Sequence, residues 1–234
     1  MSPNFYRTAA IASFLSALTT LGLIFLPDLF APANGFAGRM QRVADPVYQL
    51  RAWIYLVHPF LVFTAALGIA LALRRVSPAL ALAGILAFGL WAVTEAGQQT
   101  LTLFAFDDWR RAWLAGDVAV RATMELRTAI YDGLWDASYA LLLVGFLIGN
   151  SLLAAALLRL PDALSRIVAV FLVLAALLTL AILIVEVGGP DLLAPLGRWA
   201  YPAIQPLGRI LIGIWLWRSA GAGSPVVEST PRSA

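Results

Sequence analysis

The stretch 164–187, LSRIVAVFLVLAALLTLAILIVEV, carries no charge between Arg166 and Glu186 and has no polar face along its length. A transmembrane helix needs about 20 predominantly apolar residues to cross the hydrocarbon core of a bilayer. Working outward from this run, five more stretches meet that requirement, at about 8–27, 52–73, 78–104, 132–157 and 196–217. The expected fold class is all-α: a polytopic membrane helical bundle of about six transmembrane helices plus a short non-cytoplasmic interfacial helix. It forms a single domain over 1–220, followed by a tail, 221–234, whose small, polar and proline-containing residues predict disorder on the cytoplasmic side.

Composition agrees. The chain is 61% hydrophobic and 12% charged, with a mean hydropathy of +0.85, where a soluble domain carries about 25% charged residues. All sixteen basic residues are arginine, and most stand at the ends of apolar runs. That placement suits orientation in a membrane rather than a nucleic-acid-binding face. The absence of cysteine excludes disulfides and thiolate metal sites. A single histidine, His58, excludes His-rich metal sites and bis-histidine haem, and His/Met haem would need Met40 or Met124, which lie outside the predicted spans. The apolar run Thr8 to Leu26 exceeds the roughly 7–15 residues of a cleaved signal core and reads as an uncleaved first span.

Two connections are tight. In Arg74-Arg75-Val76-Ser77-Pro78, Ser77 is the expected N-cap and Pro78 the first-turn proline of the next helix. Asp162 plays the capping part in Arg159-Leu160-Pro161-Asp162. Both hairpins read as Arg, cap, Ala-Leu, a hint of internal duplication. Arg7, Arg74, Arg75, Arg159, Arg166 and Arg218 fall on one side of the alternating spans, on short connections with few acids. The positive-inside rule makes that side cytoplasmic, with both termini there, in a bacterial cytoplasmic membrane. The segment Asp107 to Tyr131 reads as an interfacial helix leading into the fourth span: Asp117, Arg121 and Glu125 recur every four residues, and Trp109, Trp113 and Leu114 give an apolar side. Asp107-Asp108 reads as a solvated cap.

Ionisable side chains within spans cost about 2.5–3.5 kcal/mol each at the bilayer centre and normally face the bundle or a wet cavity. On span two Arg51, Tyr55 and His58 share a helical face, with Pro59 following; span three offers Trp91, Glu95, Gln98 and Gln99; span four Asp132, Trp135, Asp136 and Tyr139; and span six Arg198, Tyr201, Gln205 and Arg209, interleaved with Pro202 and Pro206. The expectation is an outward-facing polar crevice with His58, Glu95, Gln98, Asp136, Tyr139 and Arg209 as the ligand-binding residues, in which Arg209 finds its carboxylate in Glu95 or Asp136. Pro202 and Pro206 are expected to bend span six and free backbone carbonyls. A small molecule, lipid or ion would occupy the crevice. The rival reading is a structural or accessory subunit in which Glu95, Asp136 and Arg209 form a closed ion-pair network, and the third is an intramembrane acid-base enzyme using Glu95, Asp136 and His58. No phosphate loop, HExxH or GxSxG motif is present, and catalytic residues and cofactor remain unknown. Gly145 and Gly149 permit close helix approach within the bundle or in a homodimer, and Ser13, Ser16 and Thr19 are expected to pack the first span. Membrane lipids are the other expected partners.

The first span with its long outer loop, the hairpin Leu158-Arg159-Leu160-Pro161-Asp162-Ala163-Leu164 and the ending Leu211-Ile212-Gly213-Ile214-Trp215-Leu216-Trp217 give the chain a layout that resembles a family of bacterial six-span membrane proteins known only as a domain of unknown function. The resemblance covers nearly the whole chain and implies the six-span fold, with no activity attached. That family's Arg one turn before a third-span acid is replaced here by Ala92 before Glu95.

Overall fold

The computed structural model describes residues 3–194 and 200–221. Arg198 and the tail 222–234 lie outside the described residues, as does the side chain of Tyr201. Among the described residues eight α-helices run in order: α1 (Pro3–Phe25), α2 (Gly35–Gln41), α3 (Pro46–Leu73), α4 (Pro78–Leu101), α5 (Asp107–Ala115), α6 (Val118–Leu157), α7 (Ala163–Glu186) and α8 (Ala200–Gly221). No strand occurs among the described residues.

The six long helices pack in chain order, α1 on α3, α3 on α4, α4 on α6, α6 on α7 and α7 on α8, and α8 returns to α1 to close a ring. Alternating direction puts both described ends of the chain at one end of this ring. Five of the helical segments are long and apolar enough to cross a membrane. The other, α8, is more polar because Gln205 and Arg209 stand in its first half. Large apolar side chains such as Leu18, Leu86, Val93 and Leu177 point outward with more than half of their surface exposed. An apolar exterior of this extent fits contact with lipid tails, since soluble monomers rarely expose large apolar patches.

At the end carrying both described termini the ring is filled. Leu73, Leu153, Leu157, Val168 and Leu216 are fully buried there. Gly145 and Gly149 serve the within-bundle role: a Cβ at Gly145 would stand 3.0 Å from both the Ala87 carbonyl oxygen and the Trp91 nitrogen of α4, and one at Gly149 would lie 2.6 Å from the Phe88 ring.

The opposite end is built differently. Helix α6 starts at Val118, where the sequence reading placed the fourth span near 132, and its 40 residues extend roughly 60 Å at 1.5 Å each. A five-residue π-helical turn, Thr102–Phe106, joins α4 to α5, making a second long rod, Pro78–Ala115. The two rods pair beyond the bilayer thickness of about 30 Å and turn at Gly116 and Asp117. Asp117 caps α6, accepting from the amides of Ala119 and Val120. The expected interfacial segment is thus the nine-residue α5 plus the outer turns of α6, with Trp113 donating to Glu125 and lying under Arg121.

Capping follows the sequence at Asp162, whose carboxylate accepts from the Ser165 amide at 2.9 Å. It departs at Ser77, which occupies the N-cap of α4 without a side-chain cap bond, its hydroxyl buried and unpartnered; Pro78 alone presets that first turn. Pro206 lies inside α8, whereas the backbone that Pro202 is expected to interrupt, around Arg198, lies outside the described residues.

Asp45 caps α3 and also anchors the long loop, taking the Ala31 amide on Oδ2 and those of Val47 and Tyr48 on Oδ1. The Ala31 hydrogen bond, followed by the two helix amides, holds its carboxyl below the ordinary 3.8. A carboxyl depressed in the folded state contributes stability above its unfolded value and loses that contribution as pH falls through the folded one. Asp45→Ala is therefore expected to lower the thermal midpoint at neutral pH by an amount typical of one lost helix cap. The difference from the wild type should shrink when the same melt is repeated below pH 3.8.

Candidate binding site

Inside the ring, towards the α5 end, is an inner chamber of about 390 Å³. All six long helices line it. The face of α3 read from the sequence supplies Arg51, Tyr55 and His58; α4 supplies Trp91, Glu95, Gln98 and Gln99; α6 supplies Trp135 and Tyr139; and α8 supplies Gln205 and Arg209. Thr20 of α1 and Thr179 of α7 complete the polar wall, while Leu23, Leu142, Leu143 and Phe146 keep much of the surface apolar. A second chamber of about 630 Å³ adjoins it further out, bordered by Arg39, Tyr48, Arg110, Tyr131, Asp132 and Asp136. Arg51, Tyr55, Gln99, Trp135 and Tyr139 belong to both walls and form the neck between them. Beneath Arg209 a space of about 30 Å³, bordered by Ser13, Asn150 and Gln205, is large enough to hold a water molecule.

Five of the six residues expected to meet do so: His58, Glu95, Gln98, Tyr139 and Arg209 share the inner chamber. Asp136 does not. The inner wall on α6 follows Trp135, Tyr139, Leu142 and Phe146, and Asp136 is rotated roughly 100° from Trp135 around the helix. Its side chain is exposed and borders only the outer chamber. Of the two carboxylates offered to Arg209, Glu95 is the one that faces the same space.

The polar groups of the inner wall are held in place. His58 is 4% exposed; its Nδ1 lies 2.7 Å from the Thr19 hydroxyl, and its ring meets Trp91 edge to face. Thr19 also lies 3.1 Å from the Ser16 carbonyl. Gln98 donates to the Trp135 carbonyl at 3.0 Å, tying α4 to α6. The Ser13 hydroxyl donates to the Arg209 carbonyl at 2.6 Å. The small polar residues of α1 thus support the site, beyond the packing part expected of them.

Closed ion pairs are found in the outer wall. Arg39 and Asp132 form a bidentate pair joining α2 to α6, with distances of 2.8 and 2.5 Å. Hydrogen bonding to Asp132 raises the Arg39 pKa above its ordinary value. Asp107 is fully buried, accepting from Arg110 at 2.8 Å and from Gln49 at 2.8 Å. It is not the solvated cap expected; Asp108, exposed and paired with Arg111, fits that description. Arg110 also donates to the Tyr48 hydroxyl and lies 4.2 Å above the Phe106 ring, which stacks on Tyr131 at 4.3 Å. The i,i+3 spacing of Asp107 and Arg110 was a signal available in the sequence. The Arg39 to Asp132 pair, separated by 93 positions, left none.

This architecture fits a multi-pass membrane protein with a two-chambered internal cavity. The chain matches no family model, no curated protein and no solved structure in the comparisons made.

Proposed function

We propose that this multi-pass membrane protein binds a small molecule in the inner chamber, reached through the outer one. The observation that carries the reading is a volume of about 390 Å³ between His58, Glu95 and Arg209. A purely structural charge network gains from direct contact in a close-packed interior, whereas ligand sites fall between about 300 and 1,000 Å³ with mostly apolar walls and a few fixed polar groups. Leu73, Leu153, Leu157 and Leu216 pack the other end of the ring, so the α5 side is the proposed mouth of the cavity. With Arg7, Arg74, Arg75, Arg159, Arg166 and Arg218 assigned to the cytoplasmic side of a bacterial inner membrane, that mouth faces outward. Transport or sensing is the natural use. The hairpin between α6 and α7, which carries part of the resemblance to bacterial six-span proteins, keeps membership of that family within the same proposal.

Native mass spectrometry of the full chain released from gentle detergent tests it, with Glu95→Gln alongside. A defined small-molecule or lipid adduct on the wild type, lost in the variant, is expected. A bare mass for both, with the variant less stable, would overturn the reading and make the inner groups part of the structural network.

A further inference from the structure

We infer that the ligand carries a carboxylate or phosphate group, and that Arg51 at the neck between the two chambers is its anchoring residue; this rests on the binding reading above. Among the described residues four arginines border the chambers. Arg39 is neutralised by Asp132 and Arg110 by Asp107, and Arg209 shares the inner chamber with Glu95. Arg51 differs: it donates through Nε to the Leu23 carbonyl at 3.2 Å and lies over the Tyr55 ring at 5.0 Å, and no carboxylate pairs with it among the described residues.

The Leu23 carbonyl engages Nε on the stem side, and the Tyr55 ring faces the guanidinium carbon. The two terminal nitrogens are the edge that forms bidentate hydrogen bonds to a carboxylate or phosphate. Leu23 belongs to α1 and Arg51 to α3, so the group is braced from two helices before any ligand arrives, and little freedom is lost on binding. No carboxylate pairs with this guanidinium among the described residues, and an anionic ligand at the neck would supply the counter-charge. The apolar inner wall of Leu23, Leu142 and Phe146 then receives an uncharged body, which makes the ligand an amphipathic organic anion.

The full chain in nanodiscs of phosphatidylcholine is titrated with octanoate and with octanamide, which differ only in the charged head. Tryptophan fluorescence is the readout, because Trp91 and Trp135 line the inner chamber. Octanoate should produce a saturable change at a concentration at least about tenfold lower than octanamide, as expected for one charge-assisted hydrogen-bonded pair. Arg51→Gln should remove the preference, and Arg51→Lys should keep part of it. Equal responses to the two probes, or an unchanged preference in Arg51→Gln, would overturn the assignment to Arg51 while leaving the cavity a binding site. No response to either probe, together with a bare native mass, would overturn the binding reading itself. If Arg51→Gln fails to fold, the wild-type comparison of acid with amide still tests the anionic head, and the weakened preference in Arg51→Lys still tests the residue. Repeating the titration with phosphatidylglycerol in the disc separates the sources. Competition with octanoate assigns the anion to a lipid headgroup, and its absence assigns it to a soluble compound.

Discussion

Asp107→Ala is expected to destabilise the folded protein by about 3–5 kcal/mol, the range for breaking a buried ion pair by removing one partner. The carboxylate is fully buried and collects hydrogen bonds from Arg110 and Gln49, so it ties α5 to α3. Without it, the Arg110 guanidinium remains 4% exposed, with its Nε already lacking a hydrogen-bond partner. The Tyr48 hydroxyl and the Phe106 ring would still hold it, which keeps the loss within the range given. Denaturant or thermal unfolding in one detergent measures the difference. Asp107→Asn, which keeps an acceptor for Gln49, should fall between the wild type and the alanine variant. Removing both charges together, as Asp107→Leu with Arg110→Met, should recover most of the loss, because the dominant cost is a stranded charge. A loss under about 1 kcal/mol for Asp107→Ala, the range of solvated pairs, would show that water in the outer chamber solvates Arg110 and that the pair is no rigid wall.

The Arg39 to Asp132 pair, 93 positions apart, marks where the sequence stopped being legible. Hydropathy located the spans because burial in lipid acts on every residue of a helix, and a run such as Ile167 to Val185 has one solution. The inner wall was legible for a related reason. His58, Glu95, Gln98 and Arg209 are polar groups in apolar helices, and an ordered ring of six has only one interior to bury them in. Asp136 falls outside the inner chamber because a four-residue repeat specifies a face about a turn wide, and a rotation of roughly 100° separates the inner wall from the outer one. The outer wall was illegible for another reason: the segments 26–45 and 102–131 are mixed in character, and their placement depends on the π-helical turn at Thr102–Phe106 and on the Arg39 to Asp132 pair. A π-helical turn has no sequence signature of its own. This one sits where Thr102 meets the Tyr131 hydroxyl at 2.7 Å, a contact created only once α4 and α6 have paired. Such turns occur often at functional sites, and here the turn aims Phe106 into the outer chamber.

Gly145→Leu should be at least as damaging, and its effect bears on both the fold and the chamber. Overpacking a tight interior costs about 1–3 kcal/mol when side chains absorb the strain. At Gly145 the neighbours at 3.0 Å are the Ala87 carbonyl oxygen and the Trp91 nitrogen, backbone atoms that move only if α4 moves. At Gly149 the obstacle is the Phe88 ring, itself wedged between Trp91 and Phe146 with centroids 6.1 and 5.6 Å away. Leucine at 145 must therefore part α4 from α6 beside Trp91 and Phe146, two walls of the inner chamber. The expected results are a loss of about 3 kcal/mol or more, an altered tryptophan emission, and weakened binding of any ligand the wild type retains. Gly145→Ala should show the same changes to a smaller degree. Because the clash lies within one chain, the loss should be the same at low and high protein-to-detergent ratios. A loss that appears only at high ratios, with the dilute protein unaffected, would place the glycine pair between two copies of the chain instead. The α4 to α6 contact that shapes the chamber would then have to be redrawn.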